Sequence, residues 1–213
     1  MDPRDGGSFS LGPFPLTPMA VRISFLNQKG GVGKSTCSIL VGAALQSAGY
    51  QVQFEDMDPQ GSLAMWVSHV GKLAPLPEGV SPDVIICDTP GRIDVSASSP
   101  DPFFRDLISR SDRLVIVAEK SLFSTQASIP MVESVKHFMS PTARAMILFN
   151  KVRRRTLVGG QNEEEMGRDL GLPVLKNSLP LAAAYESTQI QGFGVVASKN
   201  RERIFSLALE ILR

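Results

Sequence analysis

The sequence predicts a three-layer α/β/α fold, in which a mostly parallel, twisted sheet lies between two layers of helices. From Val21 onward, short apolar runs alternate with longer segments of helical periodicity, which is the pattern of β-α-β units. The chain has 213 residues, 43% of them hydrophobic and 20% charged, and this composition suits one compact domain with a sizeable core.

The strands and helices can be placed approximately. We expect strands near 21–27, 51–57, 83–88, 113–118, 144–150 and 173–179, and helices near 34–48, 101–110, 125–138, 162–170 and 199–212. The first helix carries Leu40, Val41 and Ala44 at helical spacing and should end at Gly49. Residues 1–18 are rich in Pro, Gly and Ser, so we expect a flexible N-terminal extension followed by one domain over 19–213.

Charge and cysteine content exclude several classes of protein. The 22 Lys and Arg residues balance 21 Asp and Glu residues, so any nucleic-acid binding must depend on a local basic patch. Cys37 and Cys87 lack C-x-x-C spacing, which argues against a disulfide framework, a zinc site or an iron–sulfur site and favours a reducing cytoplasm. No apolar run approaches the ~20 residues of a membrane span, so we expect a soluble protein.

The strongest motif is N-Q-K-G-G-V-G-K-S-T at residues 27–36, between an apolar strand and a helix. Its glycines let successive backbone N–H groups and the helix N-terminus face a phosphate. Lys34 would supply positive charge to the β- and γ-phosphates, and Ser35 would offer its hydroxyl to Mg²⁺. The motif therefore predicts a phosphate-binding loop; a glycine-rich turn that binds nothing is the weaker alternative.

The loop departs from the usual G-x-x-x-x-G-K-[ST] form, because its first position is Gln28 and a second lysine, Lys29, precedes the glycines. The pattern K-G-G-x-G-K-[ST] resembles the deviant Walker A signature of the ParA/MinD family of P-loop ATPases. This resemblance implies the P-loop NTPase fold. It also implies that Lys29 reaches the nucleotide of the partner subunit in an ATP-bound dimer.

Acidic residues follow two of the predicted strands. The segment F-E-D-M-D-P-Q resembles the family's D-x-D-P-Q switch, in which the second aspartate, here Asp58, helps to set up the attacking water. Asp56 and Asp58 are two positions apart, so on an extended chain their side chains point to the same side and both can face the phosphate end of the sheet. A solvated acidic turn is the alternative. Asp88 ends a buried strand, as a Walker B carboxylate requires, and Gly91 completes a D-x-x-G pattern that suggests a second switch segment.

The nucleotide base is predicted to be adenine. Asn150 stands where the family's strand-end asparagine hydrogen-bonds adenine. A GTPase would need N-K-x-D here, but the fourth position is Arg153. Pro180 and Gly192 resemble the segment that closes the family's base pocket, although Leu181 replaces the usual arginine.

The candidate residues fall into groups. Lys29, Lys34 and Asp58 are the expected catalytic residues, and Ser35, Asp58 and Asp88 the expected magnesium ligands. The expected nucleotide-binding residues are Lys29, Gly30, Gly31, Val32, Gly33, Lys34, Ser35, Thr36, Asp56, Asp88, Asn150 and Pro180. Candidate DNA contacts are Arg153, Arg154, Arg155, Lys199, Arg201 and Arg203, although such charge runs are commonly solvated surface.

The resemblance implies a slow, Mg²⁺-dependent ATPase that positions plasmids, chromosomes or other cargo. Such a protein would cycle between a monomer and an ATP-sandwich homodimer that binds nonspecific DNA in the cytoplasm, in association with the nucleoid. A ParB-like or other cargo-adaptor protein would stimulate hydrolysis, and no membrane partner is expected. Three alternatives remain open: a MinD-like membrane ATPase, a purely protein-binding ATP switch, and an ATP-dependent synthetase of related fold.

Overall fold

Five parallel strands form one sheet at the centre of the molecule. The computed structural model describes residues 19–70, 76–91, 93–95, 101–153 and 163–213. The strands are β1 (Val21–Leu26), β2 (Val52–Asp56), β3 (Val84–Asp88), β4 (Arg113–Glu119) and β5 (Arg144–Asn150), in the order β2-β3-β1-β4-β5. Every neighbouring pair is parallel. With helices on both faces, the sheet confirms the predicted fold class.

The helices cover the sheet in two layers. They are α1 (Lys34–Ser47), α2 (Ser62–His69), α3 (Pro102–Arg110), α4 (Leu122–Ala127), α5 (Ile129–Phe138), α6 (Glu163–Leu170), α7 (Ala183–Gln191) and α8 (Ser198–Leu212), with a short 3₁₀ turn at Phe193–Val195. One core cluster joins the sheet to α1, α7 and α8. A second joins its opposite face to α3 and α5. The helix α1 is buried on nearly all sides, which explains why its sequence is so apolar.

The predicted sixth strand is wrong. The segment 173–180 forms no continuous ladder with β5 but only isolated bridges, where Val174 pairs with Ile147 and Pro180 pairs with Val152. Backbone hydrogen bonds to β5 accompany both bridges, from the N–H of Leu175 and from the N–H of Leu179. The prolines at 173 and 180 have no N–H to donate to a ladder. Between them, the backbone N–H groups of Lys176 and Asn177 donate to the Glu210 carboxylate at 2.7 and 3.2 Å. Between the two bridges the segment is therefore held by a side chain of α8, and its pairing with β5 is interrupted there.

Two helices were not predicted, and one predicted helix is divided into two. The expected helix at 125–138 is interrupted at Ser128, which separates α4 from α5, and a proline occupies the first turn of α5. The helix α2 begins after Gly61, which has a φ of 63°. Its Leu63 and Trp66 are buried, but eight residues carry too little periodicity to be recognised. The helix α7 was missed for the same reason.

The parallel order brings functional candidates to one edge of the sheet. The carboxyl end of β1 leads into the glycine loop, β2 ends at Asp56, β3 at Asp88 and β5 at Asn150. The strand order reverses beside β1, because β2 and β3 lie on one side of it and β4 and β5 lie on the other. Ligands of open α/β sheets bind outside the carboxyl ends of the strands at such a point. Among the described residues, no helix is long and apolar enough to cross a membrane.

Candidate nucleotide site

A cavity of about 530 Å³ opens at the carboxyl edge of the sheet. This volume lies in the range of small-molecule and cofactor sites. Nine of the predicted site residues line it, namely Gly30, Gly31, Gly33, Lys34, Ser35, Thr36, Asp58, Asn150 and Pro180. The glycine loop, the β2–α2 loop and the end of β5 therefore line one cavity.

The glycine loop uses the conformational freedom of its residues at two positions. Gly31 and Gly33 have φ values of 78° and 96°, in the region that side chains with a Cβ rarely adopt. A Cβ on Gly33 would lie 2.3 Å from Nδ2 of Asn150. Any larger residue at Gly33 would therefore have to displace Asn150 as well as strain the backbone.

Lys34 is a buried cation at the base of the cavity. Its residue is 6% exposed, and burial lowers the pKa of its amine, an effect that the negative charges of Asp88 and Asp58 oppose. A buried ammonium group is stable only beside negative charge. The cavity therefore has the electrostatic character of an anion site.

Asp88 is the least satisfied polar group of the site. Its side chain is fully buried, and neither carboxylate oxygen has a hydrogen-bond partner of normal geometry among the described residues. Burial raises the pKa of this carboxyl to about 6, although the Ser35 hydroxyl and Lys34 oppose the shift. Buried polar groups are almost always paired, so a carboxylate without a hydrogen-bond partner beside a glycine loop suits the binding of a cation or of its water.

A magnesium ion suits the oxygen donors found here. Ser35 and Asp58 line the cavity, and Asp88 lies within electrostatic range of Lys34 and Ser35. Hydroxyl and carboxylate oxygens are preferred Mg²⁺ ligands, and the ion usually keeps several waters and binds substrate phosphates. The described residues contain no group of three His, Cys, Asp or Glu side chains able to hold a metal without such help.

The two aspartates after β2 occupy different environments. Asp58 lines the cavity, and its Oδ1 accepts the Gln60 N–H at 3.0 Å. Asp56 is absent from the cavity lining. Its Oδ1 accepts the N–H of Asp58 at 3.0 Å and its Oδ2 accepts the N–H of Ala64, in the first turn of α2, at 2.8 Å. The geometry therefore gives Asp56 a backbone-holding position, while Asp58 faces the cavity.

Two other predicted loop residues lie outside the cavity lining. Lys29 is exposed, and its backbone N–H donates to Oδ1 of Asn27 at 2.8 Å. Val32 is fully buried in the core cluster behind the loop. Val32 anchors the loop, whereas the Lys29 side chain lies at the surface, where a second molecule could reach it.

Asn150 and Lys151 hold the glycine loop from behind. Nδ2 of Asn150 donates to the Val32 carbonyl at 2.9 Å, and Nζ of Lys151 donates to the Gly31 carbonyl at 2.7 Å. One amide proton of Asn150 is therefore already used within the protein. Lys151 also lines the cavity. Sequence reasoning missed Lys151, although its place beside Asn150 was visible.

The far wall of the cavity comes from the two unpredicted helices. Nε1 of Trp66 in α2 donates to the Thr188 carbonyl in α7 at 2.7 Å. Nε2 of Gln189 donates to the Thr36 hydroxyl at 3.0 Å, which connects α7 to the phosphate loop. The cavity lining also includes residues that were not predicted, namely Ile39, Ser62, Met65, Ala182, Tyr185 and Glu186. Gly91 of the D-x-x-G pattern and Leu181, next to Pro180, complete it.

The basic residues considered for DNA contact differ in their surroundings. Arg153 and Lys199 are exposed, and Arg203 is half-buried. The guanidinium group of Arg201 donates to the carbonyls of Val196 and Gly194. Arg154 and Arg155 lie outside the described residues.

Comparison with known proteins agrees with this geometry. Residues 23–192 match the family described as the CobQ/CobB/MinD/ParA nucleotide binding domain. The chain is 26% identical over 196 residues to "Maintenance of carboxysome distribution protein A" of Halothiobacillus neapolitanus, an alignment that covers 83% of this chain and 87% of that protein.

Solved structures show the same fold. Apo McdA of Cyanothece superposes with a TM-score of 0.68 at 17% identity, covering 91% of this chain and 100% of that one. Cobyrinic acid a,c-diamide synthase from Mycobacterium smegmatis, solved with an ATP analogue and magnesium, gives 0.60 at 17% identity, covering 80% and 91%. The resemblance to ParA and MinD is thus confirmed, and this chain belongs to the CobQ/CobB/MinD/ParA nucleotide binding domain family.

Proposed function

We propose that this chain is a Mg²⁺-dependent ATPase that positions a cellular cargo through an ATP-controlled cycle of dimerisation. The observation that carries the proposal is the cavity itself, which the glycine loop and the buried cation of Lys34 line. The buried carboxylate of Asp88 lies behind this lining, within electrostatic range of Lys34. The similarity to a carboxysome distribution protein over most of both chains supports a positioning role.

The nucleotide is ATP, bound with Mg²⁺. The loop N–H groups and Lys34 would hold the β- and γ-phosphates, and Ser35, Asp58 and Asp88 would hold the metal directly or through its water. When bound, Mg²⁺ neutralises developing charge on the phosphates. Asp58 would orient the attacking water. A water positioned mainly by one carboxylate lacks a strong base, so intrinsic turnover should be slow.

The proposed dimerisation uses Lys29, whose contact with the partner subunit's nucleotide is implied by the resemblance to the family. The site already contains its own buried lysine, whereas Lys29 is exposed beside the cavity. In the proposed dimer, Lys29 of each subunit reaches the phosphates of the opposite subunit. ATP-bound dimers would then bind DNA through nonspecific phosphate contacts from the basic candidates, and a cargo-adaptor protein would stimulate hydrolysis and release the monomers.

The test measures three quantities on the purified protein with ATP, ADP or no nucleotide. Phosphate release gives turnover, light scattering gives mass, and DNA binding is followed across a salt series. ATP-dependent dimers whose DNA binding weakens steeply with salt would support the proposal. ATP-dependent dimers that do not bind DNA would limit the function to a protein- or membrane-binding switch. Transfer of phosphate to a small carboxylate would indicate a synthetase.

Two lysine variants separate binding from assembly. Lys34→Ala should abolish nucleotide binding, because it removes the buried charge in the cavity. Lys29→Ala, the same change at the exposed lysine, should retain ATP binding as a monomer but lose dimerisation and turnover. Asp58→Ala should bind ATP and accumulate as the dimer; retained hydrolysis in this variant would remove Asp58 from the mechanism.

A further inference from the structure

Two consecutive residues at the end of β5 donate hydrogen bonds to two consecutive carbonyl groups of the glycine loop. Asn150 reaches the Val32 carbonyl at 2.9 Å and Lys151 reaches the Gly31 carbonyl at 2.7 Å. Nζ of Lys151 also lies 3.5 Å from Oε1 of Glu119, at the end of β4. The loop is thereby fixed to two strands from outside its own sequence.

Lys151 has an unusual backbone conformation. Its φ of 53° is the only positive value among non-glycine residues in the described part of the chain. Side chains with a Cβ rarely adopt this region, and such strain persists where the surrounding structure requires it, often at functional sites. The conformation places a lysine, and not a glycine, at a position where glycine would be less strained.

The contact has a consequence for phosphate binding. A glycine loop binds phosphate through its N–H groups, so its carbonyl groups must point away from the anion. A carbonyl held by an ammonium group is held strongly, because a charged donor makes a stronger hydrogen bond than a neutral one. Fixing the Gly31 and Val32 carbonyls therefore fixes the orientation of the two peptide groups to which they belong, and with them the N–H groups of Val32 and Gly33.

We propose that Lys151 is a positioning residue that presets the glycine loop for phosphate, and that it contributes to nucleotide affinity through the Gly31 carbonyl and not through the base. Glu119 holds the ammonium group in place. This inference rests on the proposed nucleotide-binding function and adds a third functional lysine to Lys29 and Lys34.

The first test is Lys151→Met, which keeps the length of the side chain and removes the ammonium group. We expect the affinity for ADP, GDP and inorganic tripolyphosphate to fall by the same factor, about tenfold. Binding is measured by calorimetry with Mg²⁺ present. A loss confined to the nucleotides, with tripolyphosphate unaffected, would show a base contact and overturn the proposal, as would an unchanged affinity. Lys176→Met, an identical change at an exposed lysine outside the cavity lining, should leave all three affinities unchanged.

A second variant separates the ammonium group from the backbone conformation. Lys151→Gly relieves the positive φ and also removes the charge. If only the backbone shape matters, this variant should bind as well as the wild type, which would overturn the proposal. We expect it instead to bind about as weakly as Lys151→Met, while Glu119→Gln should lose only about two- to threefold because the Gly31 contact remains.

Hydrogen exchange on the nucleotide-free protein makes the test independent of ATP. Amides of residues 27–36 should exchange faster in Lys151→Met than in the wild type, and equal protection would overturn the proposal. None of these measurements requires hydrolysis, dimerisation or DNA. A wild type that binds nucleotide but neither hydrolyses it nor binds DNA would therefore end the positioning proposal and leave this inference standing.

Discussion

The ends of β2 and β3 are neighbours in the sheet, yet their terminal carboxylates are used in opposite ways. Asp56 and Asp88 are paired in the strand register. Both oxygens of Asp56 accept backbone N–H groups, from Asp58 and from Ala64. Both oxygens of Asp88 are buried without a hydrogen-bond partner of normal geometry among the described residues, although Lys34 and Ser35 lie near. One carboxylate completes the protein's own structure, and the other faces only its charged and polar neighbours.

This difference helps to assign roles to acidic residues in the same site. An unpaired buried carboxylate lowers the stability of a protein, so its presence indicates a function that offsets the cost. A carboxylate that holds backbone N–H groups needs no such explanation, and we assign Asp56 to the support of Asp58. The four predictions below test this contrast, from the largest expected effect to the smallest.

The largest effect is expected from Asp88→Asn in the presence of Mg²⁺. The substitution keeps the shape of the side chain and removes the negative charge from the proposed metal site. ATP turnover should fall by at least about 100-fold, as expected when a charge at a phosphoryl-transfer site is lost. Phosphate release at saturating Mg²⁺ and ATP measures it. A loss below about threefold would mean that Asp88 is not part of the metal site.

The same variant should be more stable than the wild type when nucleotide and metal are absent. The pKa of Asp88 is raised to about 6 from an ordinary 3.8, so the native state holds the proton more tightly than the unfolded state. The ionised group therefore costs stability above pH 6, by at most about 3 kcal/mol. This cost disappears as the pH falls from 6 towards 4.

Urea unfolding with EDTA at several pH values measures this cost. Asp88→Asn should gain stability relative to the wild type at pH 7.5, and the gain should shrink between pH 6 and pH 4. Asp56→Asn serves as the contrast and should show no gain, because its parent carboxylate is already bonded. A constant gain across the whole range would show that the ionisation of Asp88 is not its cause.

The sequence predicted one side of the site better than the other. The glycine loop, Asp58 and Asn150 all line the cavity, because short motifs at strand ends are placed by the parallel sheet itself. The five strands followed from short apolar runs, and the longer helices followed from helical periodicity. These features depend on residues close together in the sequence.

The remaining features depend on contacts between distant segments. The helices α2 and α7 are short, and they are joined by a hydrogen bond between Trp66 and Thr188, 122 positions apart. Lys151 contacts Gly31 across 120 positions. The spacing of two positions between Asp56 and Asp58 suggested that both face the same side. The chain turns after β2, however, so only Asp58 lines the cavity. A pattern of alternation applies only while the strand continues.

An intermediate effect is expected from Asp56→Ala. The change removes acceptors for two backbone N–H groups, which should lower the free energy of unfolding by about 1 to 2 kcal/mol. It should also reduce kcat by about tenfold while the affinity for ATP changes less than about threefold, because Asp58 loses its support but the phosphate loop does not.

Asp83→Ala provides a matched control for that change. Oδ2 of Asp83 accepts the Gln51 N–H at 2.8 Å, outside the cavity lining. Its loss should reduce stability by about 1 kcal/mol without changing kcat. If Asp83→Ala reduced kcat as much as Asp56→Ala, lower stability alone would account for both results, and the positioning role of Asp56 would be rejected.

The smallest effect is expected from Trp66→Phe, in the second turn of α2. Phenylalanine keeps most of the buried ring but cannot donate to the Thr188 carbonyl, which still accepts the Gly192 N–H at 3.0 Å. Because that carbonyl retains a partner, the change should cost only about 1 kcal/mol in urea unfolding followed by circular dichroism. Turnover should stay within about twofold of the wild type, since Asp56 still holds the Asp58 N–H directly. A tenfold loss of kcat would instead show that the whole of α2, and not the carboxylate at the end of β2, positions Asp58.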